Sequence, residues 1–464
     1  MKKTVKIGIQ ILIALYLPVM VWAQNSPPNV LIIMTDQQNA DMMSCAGNKW
    51  LKTPNIDKLA AKGMRFEKAY VTNPVCSPSR FSILTGRYPT AINMRHNASK
   101  LDQDNLLEII PESVGFAFKE AGYETFYGGK VHLPSGGKDA KTYGFDKLIS
   151  LDERDDLAEK SKEFLLNRDT ISPFFAFVNF INPHDICYEA IRHFPPENRA
   201  PAEIPIPLLE AVEIPDSLTE KEFFASYCPP LPDNFEPTHN EPAAIMQLKE
   251  LHSFTIDARK YWKEKDWRLH RWAYHRLTER VDEQIGKVLD ALENSAIRDN
   301  TIVVFTSDHG EMSASHRLEH KTVFYEESSN IPLIVWYEGM DNKGETDDQH
   351  LISNGLDLYP TLCELAGIKV PEDLPGISFV PLLQNDNKAY QARQYLFMEN
   401  EIGFMARDAR FKYALYDNGD EMLIDLQNDP GEMFNVAGQV KHREAQKTLK
   451  DHLLKHIAKS NVKK

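Results

Sequence analysis

Five cysteines in 464 residues, none of them in a C-x-x-C pair, argue against a structural zinc site. Basic residues are also in the minority: 53 Lys and Arg face 67 Asp and Glu, for a formal net charge of -14. That balance argues against general nucleic-acid binding, which relies on basic patches. A site for an anionic ligand would have to concentrate its positive charge locally. The apolar run from Ile7 to Val21 is short for a membrane-spanning helix. It follows Lys2, Lys3 and Lys6 and leads into Val21-Trp22-Ala23 and the polar, Pro-containing Gln24 to Pro28. This pattern reads as a signal peptide, residues 1–23, cleaved after Ala23. No Cys stands at the cleavage point, so nothing indicates a lipid anchor. The expectation is an exported protein, periplasmic or extracellular, with no stable membrane insertion. Exported proteins usually pair their cysteines. Of Cys45, Cys76, Cys187, Cys228 and Cys363, Cys76 is the candidate for the odd one out.

What is present is a succession of strand and helix signals. Asn29 to Met34, Phe174 to Phe180, Ile302 to Thr306 and Ile331 to Tyr337 are short apolar runs of the kind buried on both faces of a parallel sheet. Tyr123 to Tyr127 is a further strand. Pro54 to Lys62, Ser113 to Ala121 and Tyr274 to Leu292 have helical spacing. This alternation predicts an α/β domain over residues 24–384 whose mostly parallel sheet is flanked by helices. Eleven prolines between Pro195 and Pro242 predict an irregular insertion, residues 185–260, framing the mouth of the site. After about residue 385 short strands at Tyr395 to Glu399, Phe411 to Tyr416 and Glu421 to Asp425 predict a small antiparallel α+β subdomain, residues 385–464.

Four of the predicted strands run into polar residues, and ligands of open α/β sheets bind at strand carboxyl ends. These continuations are Thr35-Asp36-Gln37-Gln38, Gly128-Gly129-Lys130-Val131-His132, Asn182-Pro183-His184-Asp185 and Ser307-Asp308-His309-Gly310-Glu311. Asp36, Asp308 and the Gln37 carbonyl offer hard oxygen ligands, suited to a Ca²⁺-like cation rather than zinc. His309 belongs either with that ion or, because imidazole is a poor calcium ligand, with the nucleophile or the anion. Lys130, His132, His184 and Lys321 have the chemistry to neutralise and orient an anion.

The stretch Cys76-Ser77-Pro78-Ser79-Arg80, continuing to Leu84-Thr85-Gly86-Arg87, resembles the signature of the type I, formylglycine-dependent sulfatases of the alkaline phosphatase superfamily. Further matches spread over nearly the whole mature chain. They include Thr53 to Asp57, Gly129 to His132, Thr306 to Glu311, Lys321 with Tyr325 to Ser328, and Asp429-Pro430-Gly431-Glu432. The resemblance implies that a separate maturation enzyme oxidises Cys76 to formylglycine. The hydrated aldehyde carries two hydroxyls on one carbon: one attacks sulfur, and deprotonation of the other expels sulfate. A serine could make the first ester but has no second hydroxyl to break it down.

By the same resemblance Asp36, Gln37, oxidised Cys76, Asp308 and His309 hold the cation. Arg80 holds the formylglycine, and Lys130 stabilises sulfate charge. His132 helps take the proton that releases sulfate, while His184 and Lys321 serve the leaving alcohol. His316 and His320, close to Lys321, touch substrate. Many members of the family have two adjacent Asp where this chain has Asp36-Gln37, which keeps Mg²⁺ and Mn²⁺ open beside Ca²⁺. The function expected is hydrolysis of sulfate esters on a sulfated glycan. The rivals are a phosphonate monoester or phosphodiester hydrolase using the same nucleophile, and a noncatalytic glycan-binding protein in which Cys76 stays a thiol.

Overall fold

Asn29–Asp36 is buried at every residue and forms β1, the strand on which the main sheet is built. The computed structural model describes residues 26–97, 109–134, 140–169, 171–195, 203–250 and 253–461; the predicted signal peptide lies outside them. In chain order β1 is followed by α1 (Pro54–Lys62), β2 (Met64–Phe66), β3 (Ala69–Tyr70), α2 (Cys76–Thr85), α3 (Val114–Glu120), β4 (Glu124–Gly129) and β5 (Lys147–Leu148). Next come α4 (Leu157–Leu166), β6 (Phe174–Pro183), α5 (Cys187–His193), α6 (Ile206–Ala211), α7 (Ala243–Glu250), α8 (Ser253–Tyr261), α9 (Glu264–Glu293) and β7 (Thr301–Ser307). The series continues with β8 (Leu333–Trp336), β9 (Thr346–Asp347), β10 (Ile352–Ser353) and α10 (Asn354–Ala366). It ends with β11 (Leu396–Asn400), β12 (Gly403–Arg407), β13 (Phe411–Tyr416), β14 (Glu421–Asp425) and α11 (Arg443–Asn461).

The eight-stranded sheet has the order β5-β4-β6-β1-β7-β8-β2-β9. From β5 to β7 all neighbours are parallel, with Ile32 of β1 opposite both Phe177 of β6 and Val304 of β7. Parallel neighbours present their carboxyl ends on one edge, so the polar continuations of β1, β4, β6 and β7 come out side by side. The run around Leu333–Trp336 departs from the expected parallel pattern, since β8 pairs antiparallel with β7. Burial explains why its sequence misleads: all four residues of β8 are enclosed, whichever way the strand runs. The smaller sheet, β11-β12-β13-β14, is wholly antiparallel and packs against α11 through Leu449 and Leu453.

Two expectations need correction. The stretch expected to be irregular carries helices among its described residues: α5, α6, α7 and the start of α8 lie within 185–260, with Pro207 in the first turn of α6, where its missing N–H is not needed. The cysteines do not pair: all five are free thiols in separate surroundings, Cys187 against Gln37 and Cys228 against the Arg268 carbonyl. Among the described residues no helix is long and apolar enough to cross a membrane.

Candidate active site

Cys76 is the first residue of α2, preceded by Val75 in extended backbone. All ten residues of α2 are buried, so its amino end opens into protein rather than solvent. The helix dipole and the first-turn N–H groups favour negative charge at that end. Around Sγ stand His309 Nε2 at 3.0 Å, Lys321 Nζ at 3.1 Å and Asp36 Oδ1 at 3.9 Å. Burial and Asp36 push the thiol up, but Lys321, Lys130 and His309 outweigh them and hold it well below its ordinary value. The sulfur stands where an oxidised residue 76 would carry its oxygens.

The two carboxylates come from the ends of neighbouring parallel strands, β1 and β7, and both are fully buried. Arg80, one helical turn along from Cys76, joins them: Nε donates to Asp308 Oδ2 at 2.7 Å and Nη2 to Asp36 Oδ2 at 2.9 Å. Its Nη1 donates to the Lys130 carbonyl at 3.1 Å and to Asn179 Oδ1 at 3.3 Å. The resemblance assigns Arg80 to residue 76 itself; its hydrogen bonds go instead to the carboxylates and the Lys130 loop. Lys130 Nζ lies 2.5 Å from Asp36 Oδ2. Burial raises the Asp36 carboxyl, yet Lys130, His184, Arg80 and Lys321 together hold it well below the usual carboxylate range. For Asp308 burial prevails over Arg80 and the carboxyl is pushed up.

His309 Nδ1 faces the Gly310 carbonyl at 2.9 Å. A carbonyl only accepts, so Nδ1 carries a hydrogen and Nε2 faces residue 76, where, against burial, Asp308 and Cys76 favour its protonated form and a bound cation would take its lone pair once the proton is lost. Asp36, Cys76, Asp308 and His309 thus offer four buried ligand atoms within 4.8 Å of one another. Two carboxylates, one imidazole lone pair and an oxygen on oxidised residue 76 fit a hard divalent cation. Gln37 stands beside this group with φ 70, a left-handed backbone that marks a held position. Its Oε1 accepts from Lys321 Nζ at 2.6 Å and from Cys187 Sγ at 2.9 Å, while its backbone carbonyl accepts from Tyr274. The Gln37 side chain thus faces Lys321 and Glu311, while its backbone N–H donates to Asp308 Oδ1 at 3.1 Å.

Two glycines let these loops approach each other. A Cβ on Gly129 (φ 79) would meet the Asn179 carbonyl oxygen at 2.0 Å, and one on Gly310 would meet the Glu327 carbonyl oxygen at 1.9 Å. Beyond Gly129, His132 has φ 43. Its Nδ1 and that of His184 are both buried with no hydrogen-bond partner, a mark of imidazoles held for a ligand. Burial, then the charge of Lys130, holds His184 well below the ordinary imidazole value.

His316 is placed differently from the expectation. Its ring stacks on Tyr325 at 3.9 Å and its two nitrogens meet Thr238 Oγ1 at 3.2 Å and Asn234 Nδ2 at 3.5 Å. It is a packing residue, and the reading of it as a substrate contact is corrected. His320 lies edge-on to Phe254 at 5.7 Å, and its N–H donates to Glu311 Oε1 at 2.7 Å. Sequence reasoning missed Asn179, whose only signal is an amide inside an otherwise apolar strand. It also missed Glu311, which takes hydrogen bonds from Gln37 Nε2, Ser313 N and His320 N and so fixes the loop carrying Lys321.

The family model described as Sulfatase matches residues 28–368, and one described as N-sulphoglucosamine sulphohydrolase, C-terminal, matches residues 314–459. A Delta 4,5-hexuronate-2-O-sulfatase of Bacteroides thetaiotaomicron is 31% identical over 447 residues, covering 89% of this chain and 85% of its own. A solved structure of a 2-O GAG sulfatase superposes with a TM-score of 0.78 at 29% identity, covering 94% of this chain and 93% of the other. Another, solved in complex with its substrate D-glucosamine-2-N,6-O-disulfate, gives 0.69 at 25% identity over 94% and 98% of the two chains.

Proposed function

Because this chain belongs to the sulfatase family and is a sulfuric ester hydrolase, we propose that it removes sulfate from a sulfated sugar with residue 76 as its nucleophile. The observation that carries this reading is the setting of Cys76: a helix amino end, a lysine at 3.1 Å and two carboxylates joined by one arginine.

Oxidised to formylglycine and hydrated, residue 76 supplies the paired hydroxyls that make and then break a sulfate ester. A divalent cation, Ca²⁺ first and Mg²⁺ or Mn²⁺ as alternatives, supplies Lewis-acid stabilisation at the sulfate oxygens, with Asp36, Asp308, His309 and residue 76 to hold it. Arg80 keeps the two carboxylates at a fixed separation. Lys321 orients residue 76 and, with Lys130, balances charge on sulfate. His184 is neutral before substrate arrives. An anion beside it offsets the Lys130 charge, raises its affinity for a proton and equips it to protonate the leaving alcohol. His132, with its Nδ1 unpaired, accepts the proton whose removal frees sulfate.

The relatives named above act on sulfated sugars, which supports a glycan substrate and places 2-O-sulfated hexuronates first in a panel. Cleavage after Ala23 and export would bring the enzyme to such polymers outside the cytoplasm. The test is a mass spectrum of the peptide spanning Cys76, from protein made with a maturation enzyme. A loss of about 18 Da marks conversion of CH₂SH to CHO. Sulfated sugars are then assayed beside a phosphodiester. An unmodified thiol under conditions that convert a control sulfatase, or faster phosphodiester turnover, would refute the reading.

A further inference from the structure

We infer that Lys249, on α7, is a positioning residue that holds Lys321 against residue 76. The inference rests on the reading of Lys321 as a group acting on that residue. Lys249 is 3% exposed, and its Nζ donates to two backbone carbonyls, those of Glu319 at 3.1 Å and of Lys321 at 2.9 Å. Among the described residues it makes no ion pair, so its buried ammonium is satisfied by the loop alone. A buried lysine that donates to two main-chain oxygens fixes backbone.

The loop needs such a hold. Ser313, Ala314, His316, Arg317, His320 and Thr322 all have positive φ, and His320 (72°) and Thr322 (87°) flank Lys321 directly. Each such residue is strained and persists only where its surroundings enforce it. Asn400 of β11 binds the Thr322 carbonyl at 2.9 Å and Glu311 binds the His320 N–H at 2.7 Å. Lys249 supplies the carbonyl contacts between them. Its own place is fixed from both sides: Thr255 of α8 donates to the Lys249 carbonyl at 2.9 Å, and Asp420, in the turn before β14, accepts from Ala244 N near the start of α7 at 3.0 Å. The segment read from sequence as framing the mouth of the site thus also holds the loop that carries Lys321.

Lys249→Met keeps the stem and removes the donors. In a crystal structure of the unconverted variant, which needs no turnover, Lys321 Nζ should stand about 1 Å or more beyond its 3.1 Å contact with residue 76. In converted protein assayed on 4-nitrophenyl sulfate, such a shift lowers kcat by about 10- to 100-fold and leaves KM within about twofold. In a Lys321→Met background the same substitution costs no more than about twofold, because the group it positions is gone. An unmoved Lys321 with parent-like kcat, or an equal loss in both backgrounds, overturns the inference. If Lys249→Met does not fold, Thr255→Val takes its place, with a kcat loss of about two- to fivefold that again vanishes in the Lys321→Met background. Equal losses in the two backgrounds overturn it there too. A parent enzyme that turns over no sulfate ester would instead sink the sulfatase reading, and the crystal structure would still decide the role of Lys249.

Discussion

Arg80→Met isolates the part of the site that serves two carboxylates at once. Methionine keeps an unbranched apolar stem and removes every hydrogen bond the guanidinium makes. Asp36 retains Lys130 at 2.5 Å, but Asp308 is left with the Gln37 N–H at 3.1 Å and no cation in direct contact except a protonated His309 at 3.6 Å. Breaking a buried ion pair by removing one partner costs about 3–5 kcal/mol, most of it from the charge left behind. For 464 residues, an unfolding entropy of about 2.1 cal/mol/K per residue gives about 1 kcal/mol per degree, so the melting temperature should fall by about 3–5 °C. Scanning calorimetry in chelator reads this directly. With Ca²⁺ in excess the deficit should shrink, since a cation between the carboxylates neutralises what Arg80 no longer does. A variant that melts within about 1 °C of the parent in chelator, or a deficit identical with and without Ca²⁺, would refute the reasoning.

Three further perturbations test other parts of the structure. Burial and Glu311 push the Glu319 carboxyl up to about 8 despite Lys249 and Lys321. Its folded value lies above the unfolded one, so its contribution is complete below about pH 4.5 and is lost as pH rises through 8. Glu319→Gln should therefore gain a few degrees on the parent between pH 5 and 9, and parallel melting curves over that range would contradict it. Lys412, fully buried, meets Glu326 at 2.5 Å and Glu432 at 2.7 Å and ties β13 to the main domain. Lys412→Met should lose about 3–5 kcal/mol in urea unfolding; a loss below about 1 kcal/mol would show the network to be dispensable. Gly310→Ala, with its Cβ 1.9 Å from a backbone oxygen, should displace the Asp308–His309 loop and lower kcat about 100-fold at unchanged far-UV circular dichroism. Parent-like activity would show that the loop can yield.

The sequence was most legible where one physical demand dominates. NVLIIM and FFAFVNF are apolar at nearly every position because both faces of a parallel strand are covered, and the strand ends then carry the polar residues. It was least legible where packing alone decides. The antiparallel direction of β8 leaves no mark in a run buried on all sides. β12 (GFMAR) has no β-branched residue and joins β11 through the short Glu401–Ile402 turn, so nothing announces it. The prolines of the 195–242 stretch suggested loops, although Pro207 sits where a helix tolerates it. Within the site, residue types at strand ends showed which groups meet, but not their pairings. That Arg80 spans Asp36 and Asp308, that Gln37 faces Lys321, and that Lys249 comes from outside every motif depend on three-dimensional proximity with no periodic trace.

The burial of Cys76, 1% exposed at the head of an enclosed helix, also bears on when the proposed oxidation takes place. A modifying enzyme has to bring its own reactive group within bonding distance of Sγ, and no second protein fits into that space once α2 is packed. If such an oxidation occurs, it would have to act on the nascent or still unfolded chain, with Cys-Ser-Pro-Ser-Arg met as a linear string rather than as a surface. Folding and oxidation then compete for the same molecule. A chain that closes first would keep a buried thiol at residue 76 and lack the proposed nucleophile. On that reading, the specific activity of a preparation would record how often oxidation precedes folding.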